Sequence, residues 1–165
     1  MNDHTLRSAL DPDRLAPEPA DPAVGDVMRQ EVVFCLPSTP IDAIAKLLAD
    51  NDLDELPVLL DRRPVGYVRA ADILDRLVAG DVAVSGSDLI RSPITAVQAR
   101  DVLRTPALLV DERQRVGEVV ELMNQQARTS ALVMHEDETP VGLLTTVEIA
   151  DHLLAALPTP AVVHA

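Results

Sequence analysis

The sequence predicts an α+β fold made of two β-α-β-β-α units, and a duplicated pattern is what predicts it. Pro64-Val65-Gly66-Tyr67-Val68 returns as Pro140-Val141-Gly142-Leu143-Leu144, with an acid, Asp72 or Glu148, six residues after the glycine. Ile41, Ile44, Ala45 and Leu48 return as Val116, Val119, Val120 and Met123, an i, i+3, i+4, i+7 helical face both times. Leu56-Pro57-Val58-Leu59-Leu60 is echoed by Ser130-Ala131-Leu132-Val133-Met134, and Asp26-Val27-Met28 by Asp101-Val102-Leu103. The copies stay about 75 residues apart, drifting by one as loops change length, which is how a diverged duplication behaves.

The elements follow in order. Residues 1–22 carry Pro12, Pro17, Pro19 and Pro22 among acids and alanines, with little to bury, and read as a disordered arm. The first unit spans 23–80. It opens with a short helical turn at Val24–Met28, and Glu31–Leu36 is a strand candidate. Pro37-Ser38-Thr39-Pro40 stops that strand. Thr39 suits a helix N-cap, Pro40 the first helical position, and Asp42 faces the helix dipole. The helix runs to about Asp50. Strands at Pro57–Leu60 and Val65–Arg69 flank the turn Asp61–Pro64, and a helix from Ala70 to Ala79 ends at Gly80. Residues 81–93 form a polar linker. The second unit, 94–157, repeats the order: strand Ala107–Val110, helix Gln114–Gln125, strands Ala131–His135 and Val141–Thr145, helix Thr146–Leu157. Residues 158–165 are a tail begun by Pro158 and Pro160.

Composition narrows the function. The core must be aliphatic, because the chain has one Phe, one Tyr and no Trp, and platforms for stacking a run of bases are nearly absent. Fourteen basic against 27 acidic residues give a net charge of −13, which repels nucleic-acid phosphates and anionic membrane. The single Cys35 excludes an internal disulfide and reads as a buried small hydrophobe. No apolar run is long enough to span a bilayer, and the first twenty residues lack the basic start and apolar core of a signal peptide. The expectation is a soluble cytoplasmic protein.

Catalysis finds no support. His4, His135, His152 and His164 lie far apart, no spacing resembles a zinc site, and no nucleophile elbow, phosphate loop or dinucleotide fingerprint occurs. Acid groups such as Asp52-Asp54-Glu55 and Glu136-Asp137-Glu138 read as solvated loop charge.

With these residues placed, the chain resembles a tandem pair of cystathionine β-synthase (CBS) domains, the Bateman module. The markers are Asp-Val-Met before the first strand, the aliphatic helix, Leu-Pro-Val-Leu, and Gly-Tyr-Val-x-x-x-Asp-Ile-Leu, and the match runs over roughly residues 24–155. The resemblance implies two repeats packed sheet to sheet about a pseudo-two-fold axis, with two clefts for adenosine compounds between them. It also implies modules that pair into flat homodimers, and the faces to pair are Ile73, Leu74 and Leu77 or Ile149, Leu153 and Leu154.

In that family a Thr or Ser three after the glycine and an Asp six after it face the ligand, both at a helix N-terminus that favours an anion. The second unit has Thr145 but Glu148, and the first has Asp72 but Arg69, which could reach a phosphate bidentately. The resemblance also carries Pro57, Tyr67 and Ala131 to the cleft walls. Thr145-x-x-Glu148 reads equally as a capping box, and Asp72 is favourable at a helix start with no ligand at all. Leu56 and Ser130 stand where the family often has phosphate-binding basic residues. With the strong negative charge this disfavours ATP, so AMP or S-adenosylmethionine is easier to accommodate, although Arg69, Arg104 and Arg128 lie near the clefts in sequence. Two readings stand: a non-catalytic sensor of an adenosine ligand, or a dimerisation and partner-docking module with degenerate clefts.

Overall fold

The computed structural model describes residues 20–78 and 97–157. Most of the expected arm, the linker and the tail lie outside them, as do Ala79 and Gly80. The elements run α1 (Val24–Val27), α2 (Ile41–Asp50), β1 (Glu55–Leu60), β2 (Arg63–Arg69), α3 (Ala70–Val78), a 3-10 turn (Ala99–Asp101), β3 (Leu109–Asp111), α4 (Val116–Gln125), β4 (Ser130–Met134), β5 (Pro140–Thr145) and α5 (Thr146–Ala156). This is the expected α+β architecture of two repeats related by a pseudo-two-fold axis. β1 pairs antiparallel with β2, and β4 pairs antiparallel with β5 and parallel with β3.

Helices α2 and α4 each bury the face their periodicity marked. Ile41, Ile44 and Leu48 of α2 meet Leu56, Val58 and Val68 in one core cluster; Val116, Val119 and Met123 of α4 meet Ala131, Val133 and Leu144 in the other. Aliphatic burial of this kind stabilises by about 1.5–3 kcal/mol per large side chain, which is why the shared pattern gives two copies of one hairpin-and-helix layer.

The units are not closed, however. Val24 of α1 is fully buried in the core of the second repeat, while Ala99 and Val102 are buried in the core of the first. Each repeat therefore lends its first segment to the other. The loan is written in the backbone: Arg29 and Leu143 exchange N–H···O bonds at 2.8 and 2.9 Å, and Tyr67 and Arg104 do the same at 2.9 and 2.8 Å. Those crossings explain the duplicated glycines. A Cβ at Gly142 would meet the Met28 sulfur and lie 2.7 Å from the Arg29 carbonyl oxygen. One at Gly66 would strike the Arg104 carbonyl and lie 2.7 Å from Leu103 Cδ1. Only a residue without a side chain lets the strands cross so closely.

Several expectations need correction. Glu31–Leu36 is not a strand: it makes a single bridge, Cys35 to Val58, because no longer partner edge lies beside it before Pro37 ends the run. Burial pushes the Cys35 thiol up to about 12, so it is an inert packing group. β3 begins at Leu109 rather than Ala107. Gln114 belongs to the turn before α4, where its side-chain oxygen accepts from Asp111 N–H. Thr39 does not cap α2; its hydroxyl accepts from Leu36 N–H, and Pro40 holds the cap position without a side-chain bond. The hairpin turn is tighter than expected, with Asp61 and Arg62 both at positive φ and Leu60 paired to Arg63.

The arm also ends earlier than residue 22. Asp21 accepts from Gly117 N–H at 2.8 Å, and the Pro22 carbonyl accepts from Val116 N–H at 3.0 Å. Asp21 thus satisfies a first-turn N–H of α4 from 96 residues away, while the N-cap residue Arg115 makes no side-chain bond there.

Replacing Gly142 or Gly66 by alanine forces a methyl group into a backbone crossing, and overpacking of that kind costs about 1–3 kcal/mol. Urea unfolding should show a lowered midpoint for each variant with little change in slope. A midpoint equal to that of the native protein would mean that the crossings are not tight.

Candidate functional site at the seam of the repeats

The register of β1 and β2 places Glu55 opposite Arg69 and Pro57 opposite Tyr67, so period-two alternation puts all four on one face. The equivalent pairs in β4 and β5 are Ser130 with Thr145 and Leu132 with Leu143. Leu132 and Leu143 pack into the first repeat's core cluster, and Ser130 Oγ donates to Glu55 Oε2 at 3.2 Å, so the two faces meet at the seam. At one and the same cross-strand position the first repeat carries Glu–Arg and the second Ser–Thr.

Glu55 is 1 % exposed, and a carboxylate so buried needs charged partners. Arg128, from the loop between α4 and β4, donates its Nε to Glu55 Oε2 at 2.9 Å and its Nη1 to the Pro106 carbonyl at 3.3 Å. The Arg128 guanidinium lies over the Tyr67 ring, 3.4 Å from its centroid. Arg69 Nε is 3.4 Å from Glu55 Oε1, within ion-pair reach but not aligned for a hydrogen bond, and that oxygen has no hydrogen-bond partner. Arg69 Nη2 donates instead to the Ala127 carbonyl at 3.2 Å. Arg69 therefore answers to Glu55 and does not pair with Asp72.

Asp72, on the first turn of α3, is held by a different guanidinium. Arg104 Nε and Nη2 each donate to one of its oxygens at 2.6 Å. Those hydrogen bonds hold the carboxyl below its ordinary value near 3.8, against the opposing effect of burial. At the second repeat's helix start Arg29, the first repeat's counterpart of Arg104, donates its Nε to Glu148 Oε1 at 2.9 Å and places Nη2 2.8 Å from the same oxygen. Burial pushes Glu148 up, but the bonds from Thr145 and Arg29 outweigh it and leave the group below its ordinary value. Each crossing arginine thus latches the acid at the other repeat's helix start.

Thr145 is 3 % exposed and caps α5: its hydroxyl accepts from Val147 N–H at 3.1 Å and donates to Glu148, whose Oε2 accepts from Thr145 N–H at 3.1 Å. Ala131 is not on the cleft wall. Alternation turns it into the second repeat's own core, where it is 1 % exposed. Pro57 is buried and Tyr67 half-buried, both on the seam face.

Glu55 and Arg29 are the residues the sequence reading missed. In sequence Glu55 reads as part of a solvated acid run, yet it opens β1. The available signal was its offset of one repeat from Ser130, opposite Arg69. Among the described residues no three His, Cys, Asp or Glu side chains are grouped to hold a metal ion, and no helix is long and apolar enough to cross a membrane.

The family model for the CBS domain matches residues 24–79 and 99–155, the two repeats just described. The chain belongs to the CBS domain family. No curated protein sequence matches it. Solved structures share the fold of the CBS pair. CBSX2 in complex with AMP is 23 % identical, with a TM-score of 0.60 over 81 % of this chain and 96 % of that one. The CBS domain pair of protein MJ0100, in complex with 5′-methylthioadenosine and S-adenosyl-L-methionine, is 16 % identical, with a TM-score of 0.64 over 80 % and 99 %. The CBS domain of a bacterial CNNM/CorC family Mg2+ transporter in complex with ATP is also 16 % identical, with a TM-score of 0.63 over 82 % and 89 %.

Because the folded Asp72 carboxyl titrates below its unfolded value, its pairing with Arg104 stabilises the CBS pair above about pH 4. That contribution is lost as pH falls through the lower folded value. Arg104 is half-exposed, so solvent screening keeps the contribution of the pair small. Asp72→Asn should lower the melting temperature slightly at pH 7 and flatten the acid side of the stability curve. Parallel curves for the two proteins from pH 7 to pH 2 would contradict it.

Proposed function

We propose that this CBS pair is a non-catalytic regulatory module that binds an adenosine-containing ligand in the first repeat's cleft and signals through the packing of its repeats and of a homodimer. The observation that carries the reading is Asp72 on the first turn of α3 with Arg104 bound to it and Arg69 on the adjoining strand end. A carboxylate there can accept from a ribose diol, and a guanidinium can take one phosphate. The solved CBS pairs with AMP, with S-adenosyl-L-methionine and with ATP support the ligand class. The net charge of −13 favours a monophosphate or S-adenosylmethionine over ATP. Entry requires Arg104 to release Asp72, a small barrier for a half-exposed pair. This reading places the module in the cytoplasm, where adenosine nucleotides are available.

One observation favours a second reading, a ligand-free docking module. The Thr145 hydroxyl is spent on the α5 cap and Glu148 is latched by Arg29, so the second cleft presents neither group freely. Titrating AMP into the native protein and into Asp72→Ala and Glu148→Ala variants separates the readings. Binding lost in Asp72→Ala and kept in Glu148→Ala is the expected result. The reverse pattern moves the site to the second cleft, and no binding by the native protein at millimolar AMP leaves the docking module.

The homodimer is proposed on the helical faces. Ile73 and Ile149 are turned to the cores, but Leu74, Leu153 and Leu154 are 58 %, 51 % and 63 % exposed, and Leu74 borders an apolar groove of about 460 Å³ between α2 and α3. Sedimentation should give twice the chain mass of 17.8 kDa at micromolar concentration, and Leu74→Glu with Leu154→Glu should return it to one chain. A native protein that sediments as a single chain removes the dimer.

A further inference from the structure

We infer that residues 32–36 are an unpartnered strand edge that docks an extended, acidic segment of another protein, and that Arg62 and Arg63 receive its carboxylates. The surface lies where β2 and β5 begin, whereas Asp72 and Glu148 follow the ends of those strands. It therefore adds a partner site to the ligand reading without resting on it. Its first sign is in the sequence. Val32-Val33-Phe34-Cys35-Leu36 is apolar throughout, the pattern of a strand covered on both faces rather than one with a face to water.

The fold covers only half of it. Val33 and Cys35 are buried. Cys35 donates its N–H to the Pro57 carbonyl at 3.0 Å, and its own carbonyl accepts from Leu59 N–H at 2.9 Å. Phe34 and Leu36 are 43 % and 48 % exposed, and with Val32 they line a groove of about 360 Å³ that Pro140 and Arg62 border. Phe34 is the chain's only phenylalanine. In an extended run successive residues aim their backbone groups to opposite sides, so Phe34 directs its N–H and carbonyl away from β1. Among the described residues no backbone hydrogen bond reaches Val32, Val33 or Phe34. Proteins protect an uncovered edge with a charge, a proline or a bulge, and residues 32–36 carry neither charge nor proline.

Charge says what kind of segment fits. Among the described residues Arg62 and Arg63 make neither a hydrogen bond nor an ion pair. Every other lysine and arginine there donates to a side-chain or backbone oxygen. Both arginines are exposed on the hairpin turn. Asp137 and Glu138 share a neighbouring groove with them, yet neither pairs with them. Two unpaired guanidiniums beside an apolar groove, in a chain of net charge −13, suit a segment whose carboxylates flank apolar residues at alternate positions. Nucleic acid is a poor occupant, since the surrounding field repels phosphate and one phenyl ring makes no stacking run.

The test uses the full chain and a pool of short fluorescent peptides with valine, isoleucine or leucine at alternate positions and a flank of aspartates. A second pool carries lysines in the flank, and a third has a central proline. The acid-flanked pool should bind, more weakly as salt rises. The lysine flank and the proline, which removes a ladder donor, should each weaken binding by about tenfold or more. Arg62→Asn with Arg63→Gln keeps the turn, since asparagine accepts the positive φ at position 62, and should cost about tenfold in affinity. Phe34→Thr keeps the strand propensity without the apolar anchor and should lose a similar factor. The Phe34 amide should exchange its hydrogen more slowly when the acidic peptides are bound.

Equal binding of the acid-flanked and lysine-flanked pools overturns the role of the arginines. An unchanged Phe34 amide overturns strand addition. Native affinity in both variants, or no binding of the acidic pool by the native protein at millimolar peptide, overturns the docking edge. Binding to phosphatidylcholine vesicles but to no peptide overturns the protein partner and makes the patch a membrane contact. The AMP titration is unaffected by any of these results, so the ligand reading and the docking edge stand or fall separately.

Discussion

The exchange of opening segments is the constraint on which the rest of this molecule depends. Val24 completes the core of the second repeat, and Ala99 with Val102 that of the first, so each hairpin-and-helix layer is short of one piece that the other holds. A unit of about 60 residues buries too little surface to stand comfortably alone, and the exchange makes two marginal cores into one object. The site follows from it. Arg29 and Arg104 reach their acids only because their segments cross to the opposite repeat, and the seam exists only because the crossings hold the hairpin faces together.

The seam's electrostatics show how a duplicated scaffold becomes asymmetric. One cross-strand position holds Glu55 with Arg69 in one copy and Ser130 with Thr145 in the other. The neutral pair turns inward to cap a helix and to serve the buried acid. The charged pair recruits Arg128 from the neighbouring repeat and places it on the only tyrosine. Isolated buried ion pairs are weak sources of stability, since desolvation offsets attraction.

Much of the architecture was legible because it is local and said twice. Apolar spacing in α2 and α4 and the repeated short apolar runs of β1 and β4 gave the layers, and the repeated Pro-Val-Gly gave the hairpins. The reason for those glycines was not legible, because what they must avoid is a carbonyl contributed from the other repeat. The same holds for Asp21, which satisfies a first-turn N–H of α4 from 96 residues away. Glu31–Leu36 looked like a strand from its β-branched composition, but composition does not say whether a partner edge is available, and only Cys35 finds one. Of the site, Asp72, Arg69 and Tyr67 could be placed from the motif. Glu55 looked like one more surface acid, because burial of a charge is decided by a guanidinium more than seventy residues away.

The crossing of Arg29 with Leu143 has a bearing on synthesis. During translation the segment around α1 leaves the ribosome well before its backbone partners in β5. Until they emerge, Val24, Val27 and Met28 have no core to enter, and the first repeat, although complete in sequence, still lacks Ala99 and Val102 from the second. Folding domain by domain as the chain grows is thereby closed to this protein. The two cores must instead close together through long-range contacts, the slower course for a chain of this size.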